Sequence, residues 1–355
     1  MTPNAAKWIM GIAAACMTVA GLSGAAEAQT KVRVGWCTSV ITNGVAPFAI
    51  ATKLGWFKEL GIEVDVVNIA GSSDCVRNVA TGEVLVAVPT VEPVALLNTT
   101  GVKTQVFYTA FRRNIFGIAV PETSAIKDYK GLKDAKIGVT SMASAGVVIA
   151  RSVVASVGLD PERDIRIVVS GQPAQSVILL NRNEIQAVSQ WDTQYTLMEM
   201  AGTKMRMLAD PLIESFPANS FVALPATIKN QRDLLVKLAR GYTMGAIYSI
   251  RDPRKATEIF LSAYPQIVPT GMTLEQATDR TTTLLGTVTT KWTLNNETTS
   301  WGESNIANYQ KYMDWLLEAK MLKQAVDAKE IVTNELIADT NSGLNIKAVE
   351  AALAK

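Results

Sequence analysis

The sequence predicts an α/β fold with two lobes, each built on a parallel sheet, and three observations carry that prediction. Strand-like and helix-like segments alternate from Val32 onward. The alternation is written twice, from Val32 and again from Lys136, with turns at matched points. No low-complexity tract or proline-rich linker interrupts the chain. Strand–helix–strand units of this spacing connect by right-handed crossovers, which make the strands parallel. A unit repeated within one chain then makes two lobes of the same architecture.

The first copy opens with a strand, Val32 to Trp36, followed by a Thr/Ser turn and a helix over about Pro47 to Leu60, which Gly61 ends. Ile62 to Ile69 is the second strand. A Gly71-Ser72-Ser73-Asp74 turn leads to a helix over about Cys75 to Ala80, and Val84 to Val88 is the third strand, ending at Pro89-Thr90. The second copy repeats this order. Ile137 to Val139 is a strand, Thr140 to Ser144 the turn, and Ala145 to Val157 a helix stopped by Gly158. Ile165 to Val169 is the next strand, Ala174 to Asn181 the next helix, and Ile185 to Val188 the third strand, ending at Ser189-Gln190-Trp191.

Beyond Asn219 the texture changes. Ser220 to Leu224 reads as a strand returning to the first lobe. Helices follow over Gln231 to Ser249 and Pro253 to Ala263, the latter with Asp252 as cap and proline in its first turn. Thr273-Leu274-Glu275-Gln276 is a capping box for another. Asn305 to Leu322 places Ile306, Tyr309, Met313, Leu316 and Leu317 on one face of a helix. Short crossings near Arg112–Phe116 and Phe216–Ser220 join the lobes as a hinge. The expected division is residues 29–113 plus 219–355 for the first lobe and 114–218 for the second.

Composition narrows the chemistry. At 355 residues the chain suits two domains, and its net charge of +2 offers no basic excess for nucleic acid. It contains no histidine, which removes Ser-His-Asp and Cys-His catalysis and every histidine-containing zinc site. Three cysteines, Cys16, Cys37 and Cys75, are too few for a four-cysteine site. No carboxylate spacing supports a metal, and no cofactor is expected. The N-terminus reads as an export signal over residues 1–28: Lys7, an apolar run from Trp8 to Ala20, then Ala26-Glu27-Ala28 as cleavage pattern. The run is shorter than the about 20 apolar residues a spanning helix needs. Acylation of Cys16 is the lesser alternative.

In open parallel sheets ligands bind outside the carboxyl ends of the strands. Two facing lobes therefore place Thr38, Ser39, Ser72, Ser73 and Thr90 opposite Thr140, Ser141, Ser144, Gln190 and Trp191. These hydroxyls either cap their helices or hold a ligand together with the helix N-termini. Trp191 is a candidate wall and Asp192 a candidate acceptor. Glu92, if it joins Asp192 in the cleft, disfavours a purely anionic ligand. Arg112 and Arg113 either pair with a carboxylate or sulfonate or brace the hinge. Trp36, Trp56 and Phe57 read as packing.

Leu54-Gly55-Trp56-Phe57, Ala70-Gly71-Ser72-Ser73, Val120-Pro121 leading into Ile126-Lys127-Asp128-Tyr129-Lys130-Gly131-Leu132, and Gln190-Trp191-Asp192 occur in an order that resembles the periplasmic solute-binding proteins of ABC importers. The resemblance is to the sulfonate-, nitrate- and taurine-binding and thiamine-pyrimidine-synthase-like group. It implies a type II, two-lobed receptor that closes on a small molecule and delivers it to an ABC-transporter permease, acting as a periplasmic monomer without catalysis. A pyrimidine-related enzyme and a receptor subunit of a membrane sensor are the alternatives. The enzymes of that group depend on histidine, which this chain lacks. In this fold the strands ending at Cys37 and preceding Cys75 are neighbours, so a Cys37–Cys75 disulfide is expected. It closes a loop of about 38 residues and stabilises by about 3–4 kcal/mol.

Overall fold

A computed structural model of the chain describes residues 29–355. The export-signal reading of residues 1–28, with Cys16, lies outside the described residues. The first copy of the repeated unit folds as β1 (Thr30–Trp36), α1 (Ala46–Lys53), α2 (Trp56–Glu59), β2 (Ile62–Asn68), α3 (Ser72–Ala80) and β3 (Val86–Ala87). Then come α4 (Val91–Thr99) and β4 (Gln105–Thr109), after which the chain crosses to β5 (Phe116–Pro121). The second copy is β6 (Ala135–Val139), α5 (Ala145–Ser156), β7 (Ile165–Val169), α6 (Pro173–Asn181) and β8 (Ala187–Trp191), completed by α7 (Asp192–Met200) and β9 (Met205–Leu208). After α8 (Pro211–Ser215) the chain crosses back to β10 (Ser220–Ala223). The rest is helical: α9 (Pro225–Asn230), α10 (Arg232–Arg251), α11 (Pro253–Ala263), α12 (Leu274–Trp292), α13 (Ile306–Glu318), α14 (Ala328–Ile331), α15 (Ile337–Ser342) and α16 (Ile346–Leu353).

The two sheets have matching strand orders, β2-β1-β3-β10-β4 and β7-β6-β8-β5-β9. The strands of the repeated unit pair in parallel, β1 with β2 and β3, and β6 with β7 and β8. Each sheet also holds one antiparallel strand, β10 or β5, which is the first strand the chain forms after a crossing. The crossings are tied to each other, Phe111 N donating to Asn219 O at 2.9 Å and Ala218 N to Phe111 O at 3.0 Å. The hinge is thus a pair of hydrogen-bonded segments.

Three of the boundaries that differ from the sequence expectation do so for a local reason. The helix expected over Pro47–Leu60 is two helices, because Gly55 adopts φ 79° and ends the first. The helix expected from Cys75 begins at Ser72, so Ser72 and Ser73 lie in its first turn rather than before it. The last strand of the second copy runs on to Trp191, because β5 pairs along it, Phe116 opposite Trp191.

The largest core packs the first sheet against α1, α10 and α12. Phe48 and Phe221 each lie 4.8 Å from Tyr242. α10 carries Gly241 and Gly245 mid-helix, where glycine weakens a helix by about 1 kcal/mol. A Cβ at Gly245 would sit 2.7 Å from the Pro47 carbonyl carbon, so the glycine is what lets α1 and α10 touch. A second core is continuous between the lobes, joining Val91 and Val94 of α4 and Tyr312 of α13 with Ile137 and Ile149 of the second sheet and α5. Among the described residues no helix is long and apolar enough to cross a membrane.

Candidate functional site

The strand ends of the two sheets enclose a cleft of about 710 Å³, its open mouth included. The first lobe supplies Trp36 at the end of β1, Thr38, Ser39 and Thr42 after it, Ala70 and Ser72 after β2, Phe111 and Asn219 from the two crossings, and Val288 from α12. Ile115 and Phe116 enter β5. The second lobe adds Thr140, Ser144 and Ala145 after β6, Gln172 after β7, and Trp191, Asp192 and Thr193 after β8. A parallel sheet directs its carboxyl ends and the following helix N-termini to one edge, and here both edges face one space.

Of the residues singled out in the sequence, Thr38, Ser39, Ser72, Thr140, Ser144, Trp191 and Asp192 line this cleft. Ser144 caps α5, its Oγ accepting from Gly146 N at 3.2 Å. Ser72 Oγ accepts from Thr90 N at 3.2 Å. Trp191 stands 5.7 Å, ring centre to ring centre, from Phe116. Ser73 and Ser141 do something else: they join the lips of the cleft. Ser73 N donates to Ala143 O at 3.2 Å, and Ser141 Oγ donates to Ala70 O at 2.7 Å. The lobes therefore touch at this edge.

Thr90, Glu92 and Gln190 are buried behind the cleft and do not line it. Glu92, a candidate for the cleft, instead lies against α13 and accepts a hydrogen bond from Tyr312 Oη. Burial raises its pKa above the ordinary carboxylate value. Gln190 Nε2 donates to Ser176 Oγ at 3.0 Å and to Gly171 O at 3.3 Å, holding the turn after β7. Arg112 is a hinge brace, donating to Thr298 Oγ1 and to Ser300 O at 3.1 Å each, with its guanidinium 5.8 Å from the Trp301 ring centre.

Trp36, read from sequence as packing, is buried but forms part of the cleft wall, its Nε1 donating to Thr42 Oγ1 at 2.9 Å. Phe111, Ile115, Phe116 and Asn219 were not singled out, although they lie within or beside the crossings that were located; a hinge beneath a cleft necessarily forms its floor. Val288 had no signal, because nothing in α12 says that its C-terminal end reaches the cleft. Cys37, which lines the cleft, is joined to Cys75 by a disulfide with a Cα–Cα distance of 5.7 Å.

Asp192 is the single ionisable side chain among the lining residues, and no lysine or arginine is among them. Its Oδ1 accepts from Thr193 N at 2.7 Å, and its Oδ2 lies 3.9 Å from Lys291 Nζ. Burial pushes its carboxyl up to about 6, against the pull of Lys291 and the Thr193 amide. The site can grip flat apolar and hydroxyl-bearing matter between two lobes, and it assembles no acid–base pair.

A family model described as NMT1/THI5 like matches residues 42–256. No curated protein sequence matches the chain. Among solved structures it is similar to a protein of Bordetella bronchiseptica RB50, with 20% identity over 88% of this chain and 98% of that one and a TM-score of 0.69. It is also similar to the periplasmic nitrate-binding protein NrtA from Synechocystis PCC 6803, with 14% identity, 90% and 91% coverage and a TM-score of 0.64. A third is the alkanesulfonate-binding protein SsuA from Xanthomonas axonopodis pv. citri bound to MOPS, with 14% identity, 86% and 98% coverage and a TM-score of 0.63. At these identities the likeness is one of fold.

Proposed function

The chain belongs to the NMT1/THI5-like family, and from that premise we propose that it is an extracytoplasmic substrate-binding protein that captures a small polar molecule between its lobes and delivers it to the permease of an ABC importer. The observation that carries this reading is the cleft itself: it lies at the carboxyl ends of two matching sheets and its lips already meet through Ser73–Ala143 and Ser141–Ala70. The moving bodies are residues 29–113 with 219–355, and 114–218, turning about the paired crossings. Ligand shifts such an equilibrium by its better contacts in the closed state. A cleft with one ionisable lining group, in a chain without histidine, suits release of cargo unchanged rather than turnover. The Cys37–Cys75 disulfide is consistent with an oxidising, periplasmic compartment.

The test is a thermal-shift screen of the purified protein against sulfonates, nitrate, taurine, aromatic acids, aromatic amines and pyrimidines. A true ligand at about 100 times its Kd stabilises by about 2.7 kcal/mol. Trp191→Ala and Ser72→Ala should abolish the shift and impair uptake in cells. If no compound stabilises the protein and both variants transport normally, the cleft is not the binding site.

A further inference from the structure

The chemistry of the lining residues says more about the cargo, on the premise that the cleft is where it binds. Two polar atoms of lining residues have no hydrogen-bond partner in the protein, Asn219 Oδ1 and Asp192 Oδ2. The Asn219 amide has one orientation open to it. Its Nδ2 donates to Val88 O at 2.8 Å, and a carbonyl oxygen can only accept, so the free atom is the amide oxygen. Asn219 is 8% exposed, and a buried acceptor left unpaired is costly, so its partner is expected from outside the protein. Both orphan atoms are acceptors.

Four backbone and indole donors beside the cleft are, by contrast, engaged within the protein. Gly146 N and Val147 N at the start of α5 both go to Ser144, and Ser73 N at the start of α3 goes to Ala143 O. Trp36 Nε1 is taken by Thr42. The cation nearest Asp192, Lys291, is itself held by Asn114 O at 3.3 Å. What remains on offer is aromatic surface from Trp36, Phe111, Phe116 and Trp191, with serine and threonine hydroxyls and the Gln172 amide, which donate as well as accept, and no lysine or arginine among the lining residues to balance an anion's charge. Flat π faces beside one carboxylate complement a flat ligand that brings donors.

We propose that the cleft takes a planar aromatic or heteroaromatic compound bearing hydrogen-bond donors at two points, neutral or cationic at the end that meets Asp192, and that it discriminates against nitrate and sulfonates. An oxyanion has only lone pairs to set against Asn219 Oδ1 and Asp192 Oδ2. A site built around one hydrogen-bonding sense rejects analogues that lack it far more strongly than it rejects analogues of altered size.

Isothermal titration of the purified protein with 4-aminobenzamidine, benzamidine, benzenesulfonate and nitrate tests this, because the first three share a ring and differ in donors and charge. The expected order is 4-aminobenzamidine, then benzamidine, with benzenesulfonate and nitrate at least about 100-fold weaker than the first. Asp192→Asn should weaken 4-aminobenzamidine by about 10- to 100-fold, and Asn219→Ala by a smaller factor, each in protein that keeps a cooperative melt. Benzenesulfonate or nitrate binding as tightly as 4-aminobenzamidine, or an unchanged affinity in Asp192→Asn, overturns the proposal and leaves the binding-protein reading standing. Binding of none of the four, with no hit in the wider thermal screen, overturns both.

Discussion

Asp192 is held in the folded chain with a pKa of about 6, chiefly by burial, with Lys291 opposing. A carboxyl raised above its unfolded value favours folding fully below about pH 4, and that contribution is lost as pH rises through 6. Asp192→Asn removes this dependence. In denaturant melts the variant should therefore gain stability relative to the parent between pH 4.5 and pH 7.5; an equal offset at both would contradict the shift. The disulfide gives a second residue-scale expectation. Replacing Cys37 and Cys75 together by alanine should cost about 3–4 kcal/mol, lowering the melting temperature by roughly 5 °C for a chain of this length. Single residues were also where the sequence was hardest to read. Ser72, Ser144 and Asp192 were legible because a turn at a strand end is a position in the fold. Glu92 was not, because its side chain is claimed by Tyr312, 220 residues further on. Gln190 likewise turns to a serine pair that only tertiary packing assembles.

Whole elements were more legible, since caps and breakers act over a few residues. At the start of α12, Thr273 Oγ1 accepts from Gln276 N at 3.2 Å while Gln276 Oε1 accepts from Thr273 N at 3.0 Å, the reciprocal box written in the sequence. Thr273→Ala should cost about 1 kcal/mol, read as a shift in the urea midpoint without a change in slope. Asp252 caps α11 in the same manner, accepting from Lys255 N at 2.9 Å. Some of the elements that were missed depend on their neighbours for their identity. β5 became a strand by pairing with β8 on one side and β9 on the other, and β9 by pairing with β5, and neither carries a repeat or cap to announce it.

At the scale of the molecule, the contact between the lips of the cleft rests on a close approach at Gly71. Its φ of 169° is extended backbone open to any residue, yet a Cβ there would lie 2.5 Å from the Ala143 carbonyl carbon and 2.9 Å from the Ala143 Cβ. Gly71→Ala therefore leaves each lobe undisturbed and obstructs only their meeting. Small-angle scattering should show a larger radius for the variant in saturating ligand, with affinity reduced about 10-fold or more. An unaltered radius and affinity would mean that the lips do not meet in the bound state. The matching strand orders carry a different consequence, for the order in which the chain can fold as it emerges. The second sheet is complete within residues 116–208, whereas β3 and β4 of the first have no bond between them until β10 arrives at Ser220. Until then two open strand edges, each a template for pairing with another chain, stand exposed on the half-finished lobe. The N-terminal lobe, begun first, is finished last, and that interval is when the nascent protein is most vulnerable to aggregation.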